Sequence, residues 1–234
     1  MHAKATTRSK ENIDVYLEVG SRRTFAGAID WPGWCRGGRD EAAALASLVD
    51  FGARYARVVG SASLGFKAPA DASDLTVAER VQGNATTDFG APAIAPASDA
   101  RPVSDAELSR LHAILRSCWR AFDGASESAQ GKQLRKGPRG GGRDLESIIH
   151  HVLEADGAYL GRLGWKFESN QEGDMAERLR QVRQVVLKAL ESTVHTDSPK
   201  TGPRGGARWQ QLYFVRRVAW HVLDHAWEIE DRIT

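Results

Sequence analysis

From residue 12 onward the hydrophobic and polar positions follow two different rhythms. Asn12–Val19 (NIDVYLEV) alternates apolar and polar residues, the period of a strand with one face turned inward. Phe25–Ile29 (FAGAI) follows the turn-like Gly20–Ser21 and predicts a paired strand. Residues 31–40 (WPGWCRGGRD) form a Pro/Gly turn cluster with Trp31 and Trp34. Asp40 stands as the N-cap of a helix in which Ala43, Leu45, Leu48, Val49 and Tyr55 recur at helical spacing. Gly60–Ala70 reads as loop, and Asp74–Val81 (DLTVAERV) as a further strand. The order β-β-(β)-α-β over residues 1–82 implies a small sheet with one helix on a face. Residues 83–103 are rich in Ala, Pro, Ser and Asp and read as a surface linker pinned by Phe89 and Ile94.

From Ser104 the period becomes 3.6. SDAE (104–107) has the spacing of a capping box. Leu108, Leu111, Leu115, Cys118, Trp119 and Phe122 stripe a first helix. A second runs over about Asp144–Leu163, a third over Asp174–Ser192 and a fourth over Trp209–Ile233. Four long helices joined by medium loops predict an up-down-up-down bundle over residues 104–234. The expected fold class is therefore α+β: a small sheet-plus-helix domain followed by a four-helix bundle.

Composition sharpens this picture at a few points. The 234 residues are 41% hydrophobic with seven Trp, enough to build packed cores, so disorder as the overall class is excluded. There are 32 Lys and Arg against 30 Asp and Glu, a net charge of +2, which gives no general bias toward nucleic acid or membrane. Cys35 and Cys118 are the only cysteines, so no CxxC pair exists for zinc or redox work, and two isolated thiols fit a reducing compartment. The N-terminal MHAKATTRSKENID lacks the apolar core of a signal peptide. The longest helix-like apolar stretch, Ala42–Val49, is too short to span a bilayer. The expectation is a cytoplasmic protein that engages no membrane and has no strong claim on nucleic acid.

The candidate chemistry lies in the histidines. Four of the seven, His150, His151, His221 and His225, fall in two helical windows. His221 and His225 are spaced i, i+4, which stacks two imidazoles one turn apart on one helix face. A divalent ion accepts imidazole nitrogen at about 2.0–2.1 Å, so such a pair plus one ligand from a neighbouring helix makes a site with open positions. Periodicity does not settle which residues take part: both members of the pair lie on the rim of the apolar face, and His150 and His151 flank theirs almost symmetrically. Glu228 extends the stripe at i+7, where it suits a ligand orienter, a base or a ligand, and it is also placed to pair with Arg232 at i+4.

A short repeat marks the loops before the second and fourth helices. Residues 137–143 read GPRGGGR and residues 202–208 read GPRGGAR, and each helix then carries HVL followed by an acid, HVLE at 151–154 and HVLD at 221–224. In an up-down-up-down bundle these two helices are parallel, so both loops would meet at one end. There Arg139, Arg143, Arg204 and Arg208, with Lys136 and Lys200, would form a mouth for an anionic substrate or cofactor. The plainer reading is two punctuated loops with solvated arginines.

With these residues assembled, the second half resembles the DinB-like metal-binding four-helix bundles, whose pattern is one His in the second helix and HxxxH in the last. HHVLEADGAYL (150–160) and WHVLDHAWEIEDR (220–232) carry the match, and Asp156, Tyr159 and Leu160 fit the family register when His151 is the ligand. The resemblance implies a divalent metal, zinc, nickel or iron, on His151, His221 and His225. It further implies transfer or isomerisation with a low-molecular-weight thiol such as mycothiol or bacillithiol, or hydrolysis. The first half is similar to HicB-like antitoxin domains through VYLEVGSRRTFAGAIDWPGWCRGGRDEAAALASLVDF (15–51). No separate DNA-binding tail follows it, so the domain is expected to cap the site or to form a homodimer along a strand edge. The competing function is a non-enzymatic module in which this half recognises a protein or RNA. GxSxG, Walker A and helix-opening GxGxxG motifs are missing, which leaves hydrolase-elbow, NTPase and Rossmann readings without support. Cys118 reads as core and Cys35 as a packed turn.

Overall fold

The computed structural model describes residues 12–136, 142–167, 173–194 and 208–234. Four strands, β1 (Ile13–Val19), β2 (Thr24–Ala28), β3 (Cys35–Gly38) and β4 (Leu75–Gln82), accompany seven helices: α1 (Glu41–Asp50), α2 (Gly52–Gly60), α3 (Ala85–Phe89), α4 (Asp105–Ala129), α5 (Leu145–Leu163), α6 (Met175–Val194) and α7 (Gln211–Arg232). The architecture is α+β and divides into two compact units. One runs to Tyr55 and resumes over Lys67–Ile94; the other takes Ala56–Phe66 and continues from Ala95.

In the first unit the sheet order is β3-β2-β1-β4. The β1/β2 and β2/β3 pairs are antiparallel and β1/β4 is parallel. β3 takes the place of the optional third strand of the expected order and lies inside the Pro/Gly cluster. Asp40 caps α1 through its carboxylate and the Ala43 N–H at 2.8 Å, as the spacing predicts. α1 lies so close over β3 that a Cβ on Gly38 would stand 2.3 Å from the Ala44 nitrogen. Trp34 is fully buried, donates from Nε1 to the Leu48 carbonyl at 2.8 Å and stacks on Tyr55. The tryptophan turn therefore builds a core.

The segment 83–103 is ordered by polar anchors rather than by its hydrophobic residues. Phe89, expected to pin it, is 88% exposed. Instead the buried Glu18 carboxylate on β1 accepts the Thr87 hydroxyl and the backbone N–H groups of Ala93 and Ile94. Within the second unit, Asp99 and Arg216 form a buried two-pronged ion pair at 2.7 and 2.9 Å. A buried charge must be paired to be tolerated, so both contacts hold the chain in one path.

The bundle helices fall within a few residues of their expected spans, but their directions differ from expectation. The Trp209 N–H donates to the Arg162 carbonyl, which joins the start of α7 to the end of α5. Gln211 meets the Thr193 carbonyl at the end of α6. Arg135, beyond α4, bonds Arg232 at the end of α7. α5 and α6 thus both run against α7, α4 runs with it, and the order is up-down-down-up instead of up-down-up-down. Chain length permits the change: the 11 residues between α5 and α6 span up to about 36 Å extended, and α5 is roughly 28 Å long. Ser104 caps α4 through the Glu107 N–H, while the Glu107 carboxylate pairs with Arg101.

Inside this bundle lies one unpartnered charge-bearing group. Asp156 on α5 is 0% exposed, and neither carboxylate oxygen has a hydrogen-bond partner among the described residues. Burial, only partly offset by Arg183, pushes its pKa from 3.8 up to about 7. The folded protein therefore holds a proton that the unfolded chain releases, and stability falls as pH rises from about 4 to 7. Asp156→Asn removes this ionisation. Its melting temperature is expected to exceed wild type at pH 8 and to converge with it near pH 4. A constant difference across that range would contradict the assignment.

Candidate metal centre

Three imidazoles converge where α5 and α7 pass. His151 stands two turns into α5, and His221 and His225 occupy successive turns of the inward face of α7. The ring centroids are 4.7–5.1 Å apart, and one ligand nitrogen from each ring lies within 4.8 Å of the other two. Nε2 of His151 and Nε2 of His221 face each other at 3.1 Å. Two nitrogens bound at about 2.1 Å to one tetrahedral ion stand roughly 3.4 Å apart, so the spacing suits a shared cation. His221 Nδ1 is buried without a partner among the described residues.

Charge state supports the same fit. His221 and His225 are 7% and 8% exposed, and His151 is half-buried. Burial, reinforced at His221 by the neighbouring His225 and His151 and at His151 by Arg143, lowers both of their pKa values, that of His221 well below the ordinary 6.5. Neutral imidazoles present lone pairs, and lone pairs are what a metal requires.

Glu228 occupies both of its expected roles at once. One oxygen takes the Nδ1 side of His225 at 2.8 Å, which leaves Nε2 of that ring directed at the cluster. The other oxygen is held by Arg232. The His225 hydrogen bond, aided by Arg232, keeps this carboxyl below its usual range despite partial burial. A carboxylate behind a histidine fixes the ring's orientation and raises its basicity.

The proposed anion mouth does not assemble from Arg143 and Arg208. Because α5 and α7 are antiparallel, Arg143 sits beside the end of α7, where its carbonyl accepts from Arg232. Arg208 lies at the other end, packed on Gly164, where a Cβ would stand 2.5 Å from its guanidinium carbon. Gly164 caps α5 with φ +86°, a conformation that favours glycine. Arg139, Arg204 and Lys200 lie outside the described residues, and Lys136 is exposed. A cleft of about 420 Å³, lined by Arg143, Asp144, Glu146, Ser147, His150, Glu154 and Met175, opens onto His151. His150 turns away from the cluster toward Glu154 at 3.5 Å. Cys118 is fully buried with its thiol pKa pushed upward by burial, and Cys35 is buried too.

The residue that pattern reading missed, Arg217, lies on α7 one turn before His221. Arg217 donates to the Tyr159 hydroxyl at 3.3 Å, and the Tyr159 ring meets His221 edge-on at 5.8 Å. The i−4 relation of Arg217 to His221 was the available signal.

No family model, curated protein or solved structure matches the chain. Among the described residues no helix is long and apolar enough to cross a membrane. The three-imidazole cluster is the feature from which a function is argued.

Glu228→Gln is expected to keep the fold but weaken divalent-ion binding about 10- to 100-fold, read by competition with a chromogenic chelator. Unchanged affinity would show that Glu228 serves Arg232 alone.

Proposed function

We propose that the chain is a divalent-metal-dependent enzyme of the DinB-like kind, acting by thiol-dependent transfer or isomerisation, or by hydrolysis, on a small anionic substrate. The observation that carries the reading is the convergence of three imidazoles from two helices, two of them buried, with a carboxylate behind one of them. His151, His221 and His225 would hold the ion. Three nitrogen donors suit zinc, nickel or iron and leave coordination positions for a ligand. An ion held there lowers the pKa of a bound thiol or water and so supplies a nucleophile at neutral pH.

The remaining work falls to the chain's own groups. Glu228 would orient His225 through the contact at its Nδ1. The packed α7 backbone, buried from Leu212 through Leu223, fixes the spacing of the pair. The cleft beside His151 admits solvent and ligand from the α5 side. A low-molecular-weight thiol such as mycothiol fits this reading because both cysteines of the chain are buried and cannot themselves attack.

Elemental analysis of the purified protein tests the proposal. About one divalent ion per chain is expected. His221→Ala should lose that ion while its metal-free melting temperature stays within a few degrees of the wild-type apo-protein. A wild type that binds no divalent ion at micromolar concentration would remove the enzyme reading.

A further inference from the structure

The row of polar side chains that holds the two α7 imidazoles continues beyond them. On α7, Arg217, His221 and His225 follow one another at i, i+4, i+8 and retain 9%, 7% and 8% exposure, whereas their neighbours Val218 and Val222 retain 0%. That row keeps a trace of contact with solvent, and the valines keep none. On the antiparallel α5, His151, Ala155 and Tyr159 form the matching row, all three half-buried. Ala155, the small member of that row, lies between the imidazole cluster and Tyr159.

At the far end of this row the Arg217 guanidinium is held in a fixed geometry. The Arg217 guanidinium lies 5.0 Å from the Trp220 ring centroid and 5.6 Å from that of Tyr159. Two aromatic contacts restrict a side chain that is otherwise costly to order. Tyr159 is itself braced by Trp209, with ring centroids 5.2 Å apart. Its hydroxyl accepts from Arg217, so its own hydrogen remains to be donated and has no acceptor among the described residues. Hydrogen-bond donors of a guanidinium and a phenol thus meet one helical turn from His221.

We infer that Arg217 and Tyr159 bind the anionic end, a carboxylate or phosphate, of a ligand whose reactive end meets the ion on His151, His221 and His225. The inference rests on the metal reading and supplies the anion recognition that Arg143 and Arg208, at opposite ends of the helix pair, do not share. It sets the substrate class: a short molecule with a metal-seeking group at one terminus and an anion at the other. Arg217 is a binding residue here, and Tyr159 adds one directed hydrogen bond.

The test uses cobalt-loaded full-length protein and two probes, 3-mercaptopropionate and 2-mercaptoethanol, with the thiolate-to-cobalt absorption band as readout. Wild type should bind the acid at least about tenfold more tightly, the range of a hydrogen bond to a charged group. Arg217→Gln should erase that preference and leave the affinity for 2-mercaptoethanol unchanged. Tyr159→Phe, which keeps the ring packing, should reduce the preference several-fold and carries the test if the arginine variant does not fold. A wild type without preference for the acid, or a preference that survives the substitutions, overturns the inference. If no cobalt binds, the metal reading fails separately. Calorimetry of inorganic phosphate on the metal-free protein then decides: binding lost in Arg217→Gln supports the anion site, and no binding to wild type overturns it.

Discussion

The antiparallel packing of α5 on α7 is the constraint on which the site depends. It brings His151 opposite a pair of imidazoles one turn apart, and it takes those rings out of water. Desolvation penalises the imidazolium form, so the interior that closes the bundle also lowers the pKa values of His151 and His221. A parallel pairing would have carried His151 and Tyr159 to different neighbours on α7. The up-down-down-up course of the chain therefore assembles this cluster and also separates the two glycine-arginine loops.

A second theme is how this fold treats buried charge. Asp99 with Arg216, and Arg183 with Asp123 at 2.7 and 2.8 Å, are paired with two-pronged geometry. Glu18 is satisfied by a hydroxyl and backbone N–H groups. Glu18 and the Asp99 pair fix the path of otherwise irregular chain, which the exposed Phe89 does not. Asp156 is the exception, a carboxyl in the interior of the same helix that carries His151. It has no partner among the described residues, and remaining protonated is how such a group avoids the full cost of burial.

Most of the secondary structure was legible because the relevant signals are local. Alternation located β1, β2 and β4, and Asp40 and Ser104 located helix starts through their side-chain oxygens. β3 was legible only as an optional strand without bounds, because a four-residue strand of Cys, Arg and two Gly has no hydrophobic period of its own. Helix direction was illegible because it depends on which end of the α5–α6 connection packs where, and no local pattern encodes that. The role of α7 was masked for another reason. The helix is buried nearly all round, including Arg216, Arg217, His221 and His225, so its polar residues do not mark a solvent face. A wheel drawn on the assumption of one apolar stripe placed both histidines on a rim. The i, i+4 spacing was the sounder guide, because it is a statement about one helix alone, and the same spacing extended backward points to Arg217.

The central claim concerns three nitrogen donors on one ion, and X-ray absorption at the metal edge of the zinc-loaded protein, without added thiol, counts them most directly. The account predicts three imidazole scatterers at about 2.0–2.1 Å and no sulfur, with one imidazole lost in His151→Ala. A sulfur scatterer, or a wild-type spectrum that His151→Ala leaves unchanged, would contradict it.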